Sequence, residues 1–161
     1  MFPSDRTQWR DSDGDGWGDN QSGRNPDRFP DDPSAWNDTD GDGFPDEIDP
    51  SWDTVLIEDK DDDNDGLNDS MEYFIGTNPY CNDTDSDGVL DGSDAFPLDD
   101  TEWNDTDGDG VGDNSDAFPY NDTEWSDNDN DGTGDNADPD DDNDGYSDEI
   151  EQQLGTDPYS N

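Results

Sequence analysis

The stretch Asp105-Thr106-Asp107-Gly108-Asp109-Gly110-Val111-Gly112-Asp113-Asn114-Ser115-Asp116 is the clearest copy of the pattern that decides this fold. The pattern reads Asp-x-Asp-x-Asp-Gly-x-x-Asp-x-x-Asp/Glu and occurs seven times in 161 residues, with its twelfth position altered only in the first copy. The copies begin at Asp11, Asp38, Asp61, Asp83, Asp105, Asp127 and Asp140. Positions 1, 3, 5 and 9 are Asp, and position 6 is Gly, in every copy.

This spacing is typical of a loop that binds calcium. Calcium takes about six to eight oxygen ligands, which alternate carboxylates supply as the chain wraps around the ion. Glycine at position 6 permits the sharp turn that aims the position-7 carbonyl inward. We therefore expect at least one Ca²⁺ per loop.

The predicted ligands are the carboxylates at positions 1, 3, 5, 9 and 12 and the carbonyl at position 7. In loop order they are Asp11, Asp13, Asp15, Trp17, Asp19 and Asp27; Asp38, Asp40, Asp42, Phe44, Asp46 and Asp49; Asp61, Asp63, Asp65, Leu67, Asp69 and Glu72; Asp83, Asp85, Asp87, Val89, Asp91 and Asp94; Asp105, Asp107, Asp109, Val111, Asp113 and Asp116; Asp127, Asp129, Asp131, Thr133, Asp135 and Asp138; and Asp140, Asp142, Asp144, Tyr146, Asp148 and Glu151.

The first loop departs from the pattern at position 12, where Ser22 is a poor calcium ligand. Its spacing to the next loop is 27 residues, whereas its relatives have 22. An insertion of five residues moves position 12 to Asp27, which then aligns with Asp94 and Asp116 ahead of a Phe-Pro pair. We predict that Asp27 supplies the missing carboxylate from beyond a bulge over residues 23–26.

The composition indicates that metal, and not apolar burial, orders the chain. The net charge is −46, and Leu, Ile, Val and Phe together make 18 of 161 residues. A chain so acidic and so poor in apolar residues is expected to be disordered alone. A metal site that exists only in the folded state turns binding free energy into folding free energy.

The same composition excludes several functions. Nucleic acids and anionic membranes need Lys/Arg patches that are absent here, and no apolar run approaches a transmembrane span. Without His, only carboxylate-pair catalysis is conceivable, and it needs a dry pocket that this chain cannot build. We expect a protein that is not an enzyme.

The segments between loops predict little regular secondary structure. Glu72 and Glu151 are each followed by a short stretch that ends in Gly, so we expect short helical turns after them. A Pro within three residues of position 12 leaves no room for such a helix after four other loops. Residues 55–57 (Val-Leu-Ile) read as a short strand. The rest is expected to be turn and coil.

The linkers repeat a Phe-Pro pair followed by a Trp, at Phe2/Trp9, Phe29/Trp36, Phe96/Trp103 and Phe118/Trp125. Each Trp lies two residues before the next loop. This register predicts one small aromatic cluster per repeat, clamping consecutive loops.

These motifs resemble the thrombospondin type 3 repeats, in the tandem form of microbial surface and secreted proteins. Residues 105–114 and 140–145 stand close to the family consensus, and the resemblance extends over essentially the whole chain. It implies one elongated array over residues 1–161, wrapped around its ions, in which neighbouring loops share carboxylates near Asp138 and Asp140. The disulfides of the animal members are missing, and Cys81 reads as a small buried residue or spare thiol more readily than as a cross-link.

The functional expectation is an extracellular or cell-surface calcium-binding structural protein, a calcium-stiffened stalk or filament subunit. The alternative is a calcium-dependent adhesion or dockerin-like protein-binding module. Both ends fall at a repeat boundary, so we expect either flanking domains of a longer chain or copies joined head to tail, with Asn161 meeting the Phe2-to-Trp9 linker. Six sequons predict glycans at Asn20, Asn37, Asn68, Asn82, Asn104 and Asn121.

Overall fold

The computed structural model describes Phe2 and residues 4–160, and these contain little regular secondary structure. Two α-helices occur, α1 (Asp69–Ile75) and α2 (Asp148–Leu154), with one 3₁₀ turn at Asp91–Ser93. Within the described residues there is no sheet, and one isolated parallel bridge joins Gly18 to Pro26. Predictions on Pro3 of the first Phe-Pro pair and on Asn161 lie outside the described residues.

The two helices confirm the prediction of short helical segments at the third and seventh loops, with a correction to where they begin. Both begin at loop position 9, so Glu72 and Glu151 lie inside them. The Asn68 side chain caps α1 by accepting from the Met71 N–H at 3.1 Å, which satisfies a backbone donor early in the helix. Gly76, with φ of 98°, ends α1 in the left-handed region as predicted.

Each loop turns through two residues in the left-handed region, at positions 4 and 6. Position 6 is Gly throughout, with φ between 94° at Gly110 and 104° at Gly16. Position 4 is Gly, Asn or Ser, and Asn64 and Asn143 have φ of 60° and 57°. Residues without a Cβ, or with a short polar side chain, tolerate this backbone best. The turn residues therefore favour the backbone conformation of the loop, which the predicted ion then stabilises.

The strand predicted at residues 55–57 is wrong. No ladder of backbone hydrogen bonds forms at this segment of the described chain. Val55 and Ile57 are 95% and 67% exposed. A three-residue apolar run needs a partner strand and a covered face, and neither exists in a chain without a core.

The interior consists of carboxylates and not of apolar side chains. Prolines aside, Ala35 is the one buried hydrophobic residue among those described. The largest fully buried side chains include Glu72 and Asp27. Burying charge without a partner is strongly unfavourable, so these carboxylates must either bind a cation or hold a proton.

The prediction of one aromatic cluster per repeat is also wrong. Trp9 is 72% exposed, and Trp103 and Trp125 are exposed as well. The one ring stack found among the described residues joins Trp17 to Trp36, with centroids 5.4 Å apart. The register of the linkers instead reflects backbone hydrogen bonds.

Three linkers are closed by the same backbone bond, in which the residue before Phe donates to the Trp carbonyl. The distances are 2.8 Å from Arg28 to Trp36, 3.2 Å from Ala95 to Trp103 and 3.1 Å from Ala117 to Trp125.

The chain divides into two compact units. Unit 1 holds residues 1–84 and 90–92, and unit 2 holds residues 85–89 and 93–161. The fourth loop is divided between them, so its residues are described within the unit that holds each one.

Candidate metal centres

Each loop is shaped by hydrogen bonds from its own backbone to one oxygen of the position-3 carboxylate and one oxygen of the position-5 carboxylate. The position-5 Oδ1 accepts from the position-7 N–H, at 2.7 Å for Asp15 and 2.8 Å for Asp109. The position-3 Oδ1 accepts from the position-5 N–H, at 3.2 Å for Asp13 and 3.3 Å for Asp107. These bonds recur in all seven loops.

The second carboxylate oxygen is left buried without a hydrogen-bond partner in many of these residues. The affected atoms are Oδ2 of Asp13, Asp15, Asp27, Asp63, Asp85, Asp87, Asp107, Asp109 and Asp142, Oδ1 of Asp61 and Asp140, and Oε2 of Glu72 and Glu151. A buried ion without compensation costs several kcal/mol even after relaxation. One oxygen thus shapes the loop, and the other is free to bind an ion.

The ligand carboxylates come together in triads. In unit 1 the carboxylates of Asp11, Asp13 and Asp15 have oxygens within 4.8 Å of one another, and positions 1, 3 and 5 of the second and third loops form equivalent groups. A further group in unit 1 brings Asp65 and Glu72 of the third loop within the same limit of Asp91, and all three are buried.

The electrostatics of these groups favour a bound cation. Burial, and then the charges of neighbouring carboxylates, raises the pKa of Asp63 to about 6 and that of Glu72 to about 7. Burial likewise raises the pKa of Asp27 to about 6. A nearby cation would favour the ionised carboxylates and offset the repulsion between them.

Asp27 occupies the position that the insertion argument assigns to it. It is fully buried, and its Oδ1 accepts from the Phe29 N–H at 2.7 Å. Asp94 and Asp116 accept in the same way from Phe96 and Phe118. Ser22 is exposed. Calcium ligation by Asp27 stays a prediction, which this local geometry supports.

The position-9 carboxylates accept hydrogen bonds from position 2 and so connect the beginning and the end of the loop. In all seven loops Oδ1 accepts from the position-2 N–H, as in the 2.8 Å bond from Thr106 to Asp113. In four loops the position-2 hydroxyl also donates to the other oxygen, as Thr84 does to Asp91 at 2.6 Å. Direct ligation by position 9 stays a prediction, and a water-mediated contact fits the remaining lone pairs.

One structural element escaped the sequence argument, a polar lock between linker and loop. Glu102 is 5% exposed, and its Oε2 accepts from the Asn114 N–H at 3.0 Å while the Asn114 side chain donates to the Thr101 carbonyl. Glu124 and Asn136 repeat these bonds, and so do Gln8 and Asn20.

The lock explains the glycine at loop position 8. A Cβ added at Gly112 would clash with the Glu102 carboxylate, and the same holds for Gly134 with Glu124 and for Gly18 with Gln8. The second loop has Ala35 where these three loops have Glu or Gln, and Pro45 where they have Gly. The sequence does carry a signal for the polar lock, because Thr-Glu-Trp before a loop recurs together with Gly-x-Asn inside that loop.

The donor set fits calcium. The predicted ligands are all oxygens, from carboxylates and backbone carbonyls, and in five loops unpaired carboxylate oxygens among them are buried. Hard cations such as Ca²⁺ prefer this set, whereas zinc favours the N and S ligands that a chain without His and with one Cys cannot supply. Cys81 is partly buried, and its thiol contacts the Asp83 carbonyl at 3.3 Å.

Loops and acidic triads of this kind are typical of calcium-binding repeat proteins. The profile of the bacterial TSP3 repeat matches residues 38–48, 61–80 and 140–160, so the chain carries bacterial TSP3 repeats in these segments. The matched residues amount to about a third of the chain, less than the resemblance led us to expect. TSP3 repeats are non-catalytic calcium-binding modules.

A comparison with curated proteins returned no significant match. Among the described residues, no helix combines the length and the apolar character that a membrane crossing would require.

Proposed function

We propose that this protein is an extracellular calcium-binding structural element, a stalk or filament component that calcium stiffens. The supporting observation is the set of buried carboxylate oxygens without hydrogen-bond donors, which recurs in the first, third, fourth, fifth and seventh loops. Such a chain gains its order from the ions it binds, because it buries almost no apolar surface.

The proposal places the protein outside the cell because calcium must be abundant for sites of this kind to fill. Extracellular calcium modules have dissociation constants of about 10⁻⁴ to 10⁻³ M, and cytosolic sensors bind at about 10⁻⁷ to 10⁻⁵ M. Two features favour sites of the weaker class. The loops concentrate repelling charge, and their folding must be driven by the binding itself. Like-charged copies would also need calcium or another cation to associate head to tail.

A second candidate function is calcium-dependent adhesion through α1. Tyr73 and Phe74 on this helix are 68% and 84% exposed, whereas the corresponding residues of α2 are Gln152 and Gln153. Exposed aromatic side chains on a calcium-ordered helix are suited to binding a partner protein. Replacing both aromatics by Gln would abolish such binding and leave calcium affinity unchanged.

Electron microscopy of native material at saturating calcium tests the structural role. The proposal expects filaments, or stalks within a larger assembly, that lose their defined form on chelation. Short, monodisperse particles would refute it, provided that the native polypeptide is not longer than this chain. Particles whose form does not respond to chelation would also refute it.

A further inference from the structure

The second loop lacks the polar lock. In the first, fifth and sixth loops the lock joins a Gln or Glu, three residues before the loop, to an Asn at loop position 10. The second loop has Ala35 and Glu47 at these two places, and Pro45 at position 8. Ala35 and Pro45 are fully buried, so apolar atoms pack here where the other three loops bury a carboxylate or an amide.

The loss of the polar lock leaves the side chain at position 10 without its usual role. In the fifth loop the Asn114 side chain donates to the Thr101 carbonyl. Ser34 is equivalent to Thr101 in the second loop, and its carbonyl accepts instead from the Asp49 N–H at 2.8 Å. Glu47 is exposed, and an ionised carboxylate cannot donate a hydrogen bond. Its side chain therefore does not hold the linker to the loop.

Glu47 lines a small cavity of unit 1. The cavity has a volume of about 130 Å³, and its walls are formed by Trp36, Asn37, Asp46, Glu47 and Tyr80. Two aromatic rings, two carboxylates and one amide thus converge on one space. A space of this volume suits a charged head group together with the methylenes next to it.

The two aromatic walls are held in place by the surrounding chain. The Trp36 ring stacks on the Trp17 ring, with centroids 5.4 Å apart and planes 4° from parallel. Tyr80 lies in a turn that is closed by the bond from the Cys81 N–H to the Asn78 carbonyl at 2.9 Å. Aromatic rings fixed in this way can form the walls of a site for an organic cation.

Glu47 is the carboxylate of the cavity that is free to pair with a ligand. Both oxygens of Asp46 accept hydrogen bonds from Thr39, at 2.8 Å from its N–H and 2.7 Å from its hydroxyl. The one salt bridge found in the described part of the chain joins Arg10 to Asp19. No basic side chain therefore neutralises Glu47 within that part.

Two further observations indicate that the cavity favours a cation. The Asn37 Nδ2 donates to the Asp46 carboxylate, so the amide oxygen of Asn37 is left as an acceptor. Burial raises the pKa of Tyr80, and the negative charges of Asp62 and Glu47 raise it further. The surroundings of the cavity are thus negative.

The walls suit an alkylammonium group better than a metal ion. Calcium takes about six to eight oxygens, whereas this cavity offers the Glu47 carboxylate and the Asn37 amide oxygen. An alkylammonium group can interact with both acceptors through its positive charge. Its charge and its carbon atoms also pack favourably on aromatic rings.

We propose that this cavity binds an alkylammonium group of a partner, with Glu47 as the counter-ion and Trp36 and Tyr80 as the aromatic walls. A lysine side chain and a choline head group both present this chemistry. The proposed binding goes beyond the structural role of the chain, because it gives the second loop a ligand other than calcium.

Nuclear magnetic resonance titrations of the full chain at saturating calcium test the proposal. A salt concentration of about 0.15 M screens the general attraction of the acidic chain for cations. The probes are Nα-acetyl-lysine methylamide, choline and, as the neutral control, Nα-acetyl-norleucine methylamide. The indole N–H resonance of Trp36 is expected to shift, and to saturate, with at least one cation and not with the neutral probe. The cation that binds more tightly identifies the source of the group.

Three variants locate the binding. Glu47→Gln should weaken it by about tenfold, because a hydrogen bond to a charged group is lost. Tyr80→Leu should weaken it by about threefold, because one aromatic wall is lost. Glu58→Gln is the matched control, since it removes an equal charge from an exposed position outside the cavity and should leave the affinity unchanged.

The absence of a saturable Trp36 shift with both cations would overturn the proposal. Equal weakening by Glu47→Gln and Glu58→Gln would also overturn it, because the attraction would then be non-specific. Native mass spectrometry at saturating calcium gives a second readout. Glu47→Gln is expected to keep the wild-type number of bound calcium ions, and a smaller number would contradict the proposal by assigning Glu47 to a calcium site.

Discussion

The Asp27 N–H donates to the Gly18 carbonyl at 2.9 Å. Asp116 donates to Gly112 at the same distance, and Asp138 does so to Gly134. In those loops the bond joins positions 12 and 8, four residues apart. The first loop makes it across nine residues, which leaves the intervening segment as a bulge and returns the chain to the common register.

Replacing Asp27 with Ala should therefore remove the first-loop site, whereas Ser22→Ala should leave it intact. The physical reason is that Asp27 presents a buried oxygen without a donor, and Ser22 is exposed. Isothermal titration calorimetry of the two variants measures the difference as one ion lost against none. The opposite pattern would show that the bulge supplies no ligand.

The loops and their candidate ligands could be predicted from the sequence because the constraints on them are local. A carboxylate at position 5 that accepts from position 7, and a glycine in the left-handed region at position 6, depend only on neighbouring residues. The helix ends at Gly76 and Gly155 were predictable for the same reason.

The linkers could not be read in this way because their contacts are not local. The regular Trp spacing suggested aromatic clusters. The spacing instead follows from the backbone hydrogen bond to the Trp carbonyl and from the burial of Glu102 and Glu124. A carboxylate buried against a glycine 10 residues ahead leaves only a faint signal in one sequence.

The polar lock predicts an effect on stability at the fifth loop. Gly112→Ala should destabilise the calcium-loaded chain, because the added methyl displaces the Glu102 carboxylate from the Asn114 N–H. A lost bond that leaves a buried group unpaired costs about 1–3 kcal/mol. Thermal unfolding at saturating calcium measures the change. The double variant Glu102→Ala with Gly112→Ala should recover part of the loss, since the second loop already carries Ala35 at this position. A double variant as unstable as the sum of the two would reject the lock.

Acid should partly replace calcium in stabilising the fold. In the calcium-free fold, burial raises the pKa of Glu72 to about 7 and those of Asp63 and Asp27 to about 6. Because these values lie above those of the disordered chain, protonation favours the fold below about pH 4, and the contribution is lost as the pH rises through about 6 and then 7. In calcium-free buffer the chain should therefore be more compact at about pH 4 than at about pH 8 when measured by small-angle X-ray scattering, and an equally expanded chain at both pH values would contradict this account.

Glycans on native material should be found at the sequons whose side chains are exposed and uncommitted, chiefly Asn82 and Asn104. Asn20 is a poorer acceptor because its Nδ2 donates to the Thr7 carbonyl at 2.7 Å. Intact-mass measurement before and after deglycosylation, followed by peptide analysis, tests this. A mass equal to that of the bare polypeptide would reject glycosylation.

The most direct test of the central claim is to remove calcium. Small-angle X-ray scattering and near-ultraviolet circular dichroism would be recorded on the full chain, first at saturating calcium and then with excess chelator. The account predicts that chelation expands the radius of gyration to that of a disordered chain and abolishes the aromatic dichroism, and that added calcium restores both. An unchanged radius of gyration and an unchanged spectrum in chelator would contradict it, because the carboxylate interior would then be stable without an ion.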